Sequence, residues 1–267
     1  MIERRQDVTI ADVTGAYAGA VGEIWEMVMG EEIHVGGGHS TDELAQRAGV
    51  TADVHVLDIC SALGGPARHL ARTYGCRVTG LDATPEMVAE AARRTELAGL
   101  SGRVAFKCGN ALDIPFRAST FDIIWGQDAW CYVTDKERLI SEAARVIRPG
   151  GVIAFTDWIQ TGVMSESEWE HLVSFMIFPS LGTLEGYAGL LRENGFLVSV
   201  ADDLSRDFAD HCQAYKDALE GDLRVPIMNR FGSDLYQAVV RGVALWADAA
   251  DAGKVGRGLW IGRRREI

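Results

Sequence analysis

The stretch from Val56 to Asp82, VLDICSALGGPARHLARTYGCRVTGLD, leaves few folds open to a chain that contains it. A four-residue run, Val56 to Ile59, is apolar except for Asp58. A turn of small residues follows (Cys60 to Gly65), then a helix carrying Leu70 and a second strand, Arg77 to Leu81, closed by Asp82. Strand, tight turn, helix and strand in that order predict the first half of a doubly wound α/β sheet. Small residues in the turn let a ligand approach the backbone, and the helix start aims amide N–H groups at it. Asp82, 24 residues after Asp58, is placed to accept hydrogen bonds from both hydroxyls of a ribose. The unit predicts a nucleoside site.

The turn narrows the choice of nucleoside. A dinucleotide site wants G-x-G-x-x-G, and this one reads Cys60-Ser61-Ala62-Leu63-Gly64-Gly65. Close approach of a pyrophosphate is poorly provided for, and Asp58 would repel one. The same acid suits a ligand with an amino group. S-adenosylmethionine has a ribose, an adenine, an ammonium and no phosphate, so the pattern favours it over NAD.

Strands and helices then alternate. Thr84-Pro85 opens a helix, Val104 to Lys107 is a short strand, and Phe121 to Trp125 is a fully apolar one. Thr134-x-x-Glu137 is a capping box for a helix closed by Pro149-Gly150-Gly151, before a fifth strand, Val152 to Thr156. Further strands are expected at 196–201 and 258–262, with helices at 187–194, 206–221 and 233–251. The expected fold is a doubly wound, seven-stranded, mostly parallel α/β sheet. Ligands of such sheets bind outside the carboxyl tips of the strands. This makes Asn110, Gln127, Asp128, Trp130 and Tyr132 candidates by position.

Two segments lie outside this rhythm. Residues 1 to 35 have helical spacing at Tyr17, Val21, Ile24, Trp25 and Val28. Gly36-Gly37-Gly38 breaks that helix, and Ser40-x-x-Glu43 is a capping box for the next. Residues 159 to 186 hold a helix opened by Ser165-x-x-Glu168 and rich in aromatics (Trp169, Phe175, Phe178). It serves either as a lid over the strand tips or as core packing. The expected organisation is one domain, 1–267, made of an N-terminal helical cap (1–52), a cofactor-binding core (53–158), a lid insertion (159–186) and a C-terminal part (187–267).

Composition excludes several classes. In 267 residues the net charge is −12, which argues against a phosphate-backbone partner. Five scattered cysteines without C-x-x-C argue against a disulfide framework and fit a reducing cytoplasm. No histidine spacing suggests a metal, and no signal peptide or membrane-spanning run is expected.

On these residues the chain resembles the class I S-adenosylmethionine-dependent methyltransferases, most of all the sarcosine/dimethylglycine N-methyltransferase-like group. Glu31-Glu32-Ile33-His34-Val35-Gly36 is similar to that group's entry segment. Asp58 with Gly64-Gly65-x-Ala67-Arg68 is similar to its first motif, and Trp125-x-Gln127-Asp128-Ala129 to its fourth. Ala144-Arg145-Val146-Ile147-x-Pro149-x-Gly151-Val152, Arg241-Gly242 with Trp246, and Ala252-Gly253-Lys254 extend the likeness. The chain departs from the group at Cys60 and Ala62, where glycines are usual, at Asn110, often an acid, and at Tyr132, often a histidine.

The resemblance implies S-adenosylmethionine held by Asp58, Cys60, Ser61, Ala62, Gly64, Asp82, Ala83, Asn110, Ala111 and Gln127. It implies methyl transfer to a small amine, glycine-derived in type. An S- or O-acceptor, or a cofactor-binding pseudo-enzyme, are the alternatives. Candidate substrate residues are Trp130, Tyr132 and Trp158 for cation–π contact, Arg206 for a carboxylate, and His34 or His211 as an optional base. No catalytic residue and no metal is assigned. The expected partner is a small-molecule substrate, with neither nucleic acid nor membrane, and a homodimer is left open.

Overall fold

The computed structural model describes residues 8–266, so Met1 to Asp7 of the expected N-terminal helix lie outside the described residues. Among the described residues seven strands are present: β1 (His55–Ile59), β2 (Arg77–Asp82), β3 (Val104–Cys108), β4 (Phe121–Gln127), β5 (Ile147–Gln160), β6 (Phe196–Asp203) and β7 (Val255–Arg264). They form one sheet in the order β3-β2-β1-β4-β5-β7-β6. All neighbours are parallel except β7, which runs antiparallel to β5 and β6. The order reverses between β1 and β4, and that crevice is where such a sheet takes its ligand.

The central strands read as unbroken apolar runs because helices cover both faces. On one face α3 (Gly37–Ala48) and α4 (Gly65–Tyr74) bring Leu44 and Leu70 against Val56, Val78 and Trp125. On the other, α6 (Lys136–Val146) and α8 (Leu184–Glu193) pack Leu139, Ile140 and Leu191 against Ile124, Phe155 and Trp260. The helix α5 (Pro85–Leu97) links β2 to β3.

A third cluster of helices stands beyond the tip of β5, where Trp158 enters it. It comprises α2 (Ala20–Met29), α7 (Glu166–Met176), α9 (Ser205–Glu220), α10 (Arg224–Phe231) and α11 (Ser233–Asp251). α11 alone buries Tyr236, Val239, Val243 and Trp246. A large apolar side chain stabilises by roughly 1.5–3 kcal/mol when fully buried, so α11 is firmly anchored. α1 (Ile10–Tyr17) buries no residue at all and is held far more weakly.

Several local expectations need correction. α3 begins at Gly37, with Gly36 at φ 82 as its cap; Ser40 therefore lies inside the helix, and its hydroxyl accepts from Arg257. The cap of α6 is Asp135, not Thr134, because the Asp135 carboxylate accepts the Arg138 N–H. Pro149-Gly150-Gly151 belong to β5, where a Cβ at Gly151 would lie 2.8 Å from Asp122 O. α10 was not foreseen. The capping box at Ser165 and Glu168 is present in both its bonds. α7 buries Trp169, Leu172, Val173 and Met176 in the helical cluster. Among the described residues, Ile10, Val13, Thr14 and Tyr17 of α1 line the cavity at the strand tips.

Candidate active site

A cavity of about 380 Å³ lies at the carboxyl tips of β1, β2 and β4, walled on its outer side by Val8, Val13 and Tyr17. Nine of the ten expected cofactor positions line it: Asp58, Cys60, Ser61, Ala62, Asp82, Ala83, Asn110, Ala111 and Gln127. Gly64 does not. Gly64, the tenth position, packs beneath the Phe106 ring.

The turn after β1 keeps a glycine-like backbone without the glycines. Cys60 and Ala62 sit at φ 64 and φ 43, a region costly for side chains with a Cβ. The backbone is held there by hydrogen bonds. Cys60 and Ser61 donate to Leu81 O at 2.8 and 3.1 Å, and Ala62 donates to Asp82 Oδ2 at 2.8 Å. Asp82 Oδ1 accepts from Thr84 at 2.9 Å. Asp82 therefore fixes two loops and retains lone pairs for a ligand. At Gly64 a Cβ would stand 2.3 Å from the Phe106 ring, and at Gly65 it would stand 2.7 Å from Glu31 O. Asn110 accepts from Leu112 at 2.9 Å, an Asx turn on the cavity wall.

Three residues of the wall have buried polar atoms with no protein partner: Asp58 Oδ2, Ser61 Oγ and Gln127 Nε2. Burial, and then the charge of Asp82, push Asp58 up to about 8. Burial also raises Asp82. Unpaired buried groups are costly, and a ligand with an ammonium and oxygen acceptors would relieve them. S-adenosylmethionine has that donor and acceptor set. When bound it supplies an electrophilic methyl group on a sulfonium.

Toward β4 the wall changes character. Tyr132 hydrogen-bonds Tyr17 through their hydroxyls, with the rings edge to face at 5.2 Å. Burial raises both phenols above their ordinary range, so both stay neutral. Asp128, at φ 55, accepts from Val35 N at 2.9 Å and from Arg257 Nε at 2.8 Å. Gln127 Oε1 accepts from Thr41 Oγ1 at 3.0 Å and Trp125 Nε1 at 3.1 Å. This aims its free amide N–H₂ elsewhere.

Of the expected substrate residues only Tyr132 lines the cavity. Trp130 is fully buried, stacked on Phe155 at 4.2 Å with its N–H toward Ile59 O. Trp158 packs in the helical cluster against Phe208 and Trp246. Arg206 is 91% exposed, and its nearest carboxylate is Asp210 on the same helix. His211 faces Asp207 at 3.7 Å. His34 is buried between Val35 O and Thr41 Oγ1, and burial drives it down to about 4, so it is neutral. Sequence reasoning missed Tyr17 and Glu32 on the wall. Tyr17 was visible only as one of a helical apolar stripe, and Glu32 only as half of an acidic pair before a glycine run.

Comparison with known proteins adds to this geometry. Residues 57–155 match the family described as a methyltransferase domain. The chain is similar to the glycine/sarcosine/dimethylglycine N-methyltransferase of Actinopolyspora halophila, 27% identical over 230 residues, 86% of this chain and 40% of the relative. It is similar to the sterol 24-C-methyltransferase of Eremothecium gossypii, 32% identical over 166 residues, 60% of this chain and 44% of the relative. The chain thus spans less than half the length of either relative. The phosphoethanolamine N-methyltransferase 2 of Haemonchus contortus was solved with phosphomonomethylethanolamine and S-adenosylhomocysteine. It shares the fold at a TM-score of 0.84 and 22% identity, over 96% of this chain and 58% of that one. Among the described residues, no helix is long and apolar enough to cross a membrane. Residues 57–155 thus form a methyltransferase domain, and the strand order with its ligand crevice at the β1–β4 reversal is the fold of the class I S-adenosylmethionine-dependent methyltransferases.

Proposed function

We propose that the chain transfers the cofactor's methyl group, by in-line displacement, to the amine of a small molecule, with glycine-derived amines the first class to try. The observation that carries this is the charge of the wall. Its ionisable carboxyls among the described residues are Glu32, Asp58, Asp82 and Asp128, with no basic side chain beside them on the wall; Asp128 is already paired with Arg257, and Asp58 gives up its proton on meeting a cation. Such a wall suits cationic ligands, both the cofactor and the ammonium that a neutral amine becomes once it is methylated. Tyr17 and Tyr132, neutral and adjacent, orient an amine by hydrogen bonds without acting as bases. Holding donor and acceptor in line can supply roughly 7–11 kcal/mol of the barrier in favourable systems. The tyrosine pair and the weakly anchored α1 also screen the reacting atoms from water.

A second reading is an apolar acceptor without a free amine. The outer wall residues Val8, Ile10 and Val13 and the likeness to a sterol methyltransferase favour it. Calorimetric titration with S-adenosylmethionine, with NAD as control, tests the cofactor. Turnover assays with glycine, sarcosine, dimethylglycine, a sterol and a few thiols then test the acceptor. Turnover on an amine supports the first reading, and turnover on the sterol alone replaces it. Binding without any turnover supports a cofactor-binding pseudo-enzyme.

A further inference from the structure

Gly36, Gly37 and Gly38 form a run that the cofactor site leaves unexplained. A Cβ at Gly37 would lie 3.1 Å from Glu32 Oε2. One at Gly38 would lie 3.1 Å from His69 Cε1 and 3.5 Å from Glu32 Oε1, and one at Gly65 would lie 2.9 Å from Glu32 Cγ. The absent side chains make room for one carboxylate and one imidazole side by side. Glu32 lines the cavity, and its Oε1 lies 3.9 Å from His69 Nδ1. On the other side of the ring, His69 Nε2 is 2.8 Å from Asp42 Oδ1. Asp42 is 37% exposed, so the line of groups runs from cavity to solvent.

The hydrogen bonds set the tautomer. Nε2–H donates to Asp42, which leaves the Nδ1 lone pair of the neutral ring toward Glu32. Glu32 Oε1 and His69 Nδ1 stand 3.9 Å apart, which a small side-chain movement would close to hydrogen-bonding distance. His69 is faced by Glu32 from the loop after α2 and by Asp42 from α3, with buried His34 also within its electrostatic reach and His39 of α3 within reach of Asp42. Tyr74, on its own helix, donates to Asp42 at 3.0 Å. Burial pushes Asp42 up, but the hydrogen bonds from His69 and Tyr74 outweigh it and hold the carboxyl below its usual value. Asp42 is therefore an anion that accepts the His69 Nε2–H hydrogen bond.

We propose that Glu32 and His69 carry the methyl acceptor's proton out of the cavity to solvent at Asp42, a role that rests on the methyl-transfer reading above. The acceptor nitrogen's lone pair forms the bond to the methyl carbon, while the carbon–sulfur pair stays on sulfur. The methylated ammonium gives its proton to Glu32, which passes it to His69 Nδ1. The Nε2 proton moves through Asp42 to water. Nothing is oxidised or reduced. A secondary amine needs this exit, whereas a tertiary amine has no proton to lose.

The test uses the full chain with Glu32→Gln and His69→Gln. Rates with sarcosine and with dimethylglycine are measured between about pH 6 and 9, and His69 is titrated by ¹⁵N NMR with and without S-adenosylhomocysteine. Sarcosine turnover should fall about 100-fold in both variants and its pH profile should flatten, while in His69→Gln, whose side chain does not line the cavity, dimethylglycine turnover should stay within about twofold of the unmodified protein. The His69 titration should shift in Glu32→Gln and again when the cavity is filled. Equal losses on both amines in His69→Gln, or a His69 titration indifferent to Glu32→Gln, would overturn the proposal. Should the unmodified protein bind cofactor yet methylate neither amine, the amine reading fails and the NMR titration alone decides the relay.

Discussion

Arg257 on β7 donates Nε–H to Asp128 Oδ1 at 2.8 Å, and both side chains are 1% exposed. The same guanidinium holds Ser40 of α3 at 2.9 Å and Thr156 of β5 at 3.0 Å, while the other Asp128 oxygen holds Val35 N. One buried ion pair thus locks the tip of β4, the entry segment and the antiparallel strand together. Breaking it by removal of one partner leaves an uncompensated charge. Arg257→Ala should cost about 3–5 kcal/mol, read as a lower denaturation midpoint at unchanged slope.

The turn after β1 should gain from the glycines it lacks. Ala62→Gly removes a Cβ at φ 43, a relief of about 1–2 kcal/mol against about 0.5–1 kcal/mol of added chain entropy. The net expectation is a slightly higher melting temperature with cofactor affinity preserved. Gly64→Ala should do the opposite, because its Cβ meets Phe106. Phe106→Ala should recover part of that loss in a double-mutant cycle.

Asp58 makes cofactor affinity depend on pH. Its folded value of about 8 lies above the unfolded carboxyl value of about 4. Between those limits the unfolded chain ionises while the folded one keeps its proton, so the penalty on stability grows as pH rises and levels off above about 8. Asp58→Asn should therefore stabilise the free protein more at pH 8 than at pH 5. Pairing with an ammonium needs the ionised form, so affinity should rise with pH up to about 8, by at most tenfold per unit. Calorimetry in two buffers of different ionisation enthalpy should detect about one proton released at pH 7, and none in Asp58→Asn.

Tyr17→Phe and Tyr132→Phe each remove the hydroxyl pair that ties α1 to the β4 tip. The stability cost is small, about 1 kcal/mol, because α1 has no fully buried residue and Tyr17 itself is only partly buried. The expected signature lies elsewhere. Hydrogen exchange across residues 10–17 should quicken, and turnover should fall about tenfold or more, with cofactor affinity within about twofold. Unchanged exchange would remove Tyr17 as the tether.

The strand tips were legible because buried parallel strands announce themselves as apolar runs, and the acids and amides that end those runs line the cavity. Ser40 and Thr134 misled because a capping sequence competes with alternatives that only the fold reveals: Ser40 is claimed by Arg257, 217 residues away, and Asp135 caps more strongly than Thr134. Trp130, Trp158 and Arg206 carried the right chemistry in the wrong places. Nothing local in a sequence tells whether an indole turns under the sheet, as at Trp130, or an arginine into water, as at Arg206. Tyr17 and Glu32 escaped for the converse reason. Their place on the wall depends on how the first helices fold back over the sheet.

That fold-back limits how freely the N-terminal segment could be exchanged between relatives to change substrate. Its backbone lies on Gly65, with Glu31 O only 2.7 Å from where a Cβ would stand, and the Glu31 carboxylate meets Arg68, whose guanidinium is 2% exposed, at 2.9 Å. A transplanted cap without a matching carboxylate would leave that cation stranded beneath it. A recipient core bearing any side chain at the position of Gly65 would refuse the graft outright. Chimeras of this enzyme should therefore move the cap and the first turn of α4 as a single cassette.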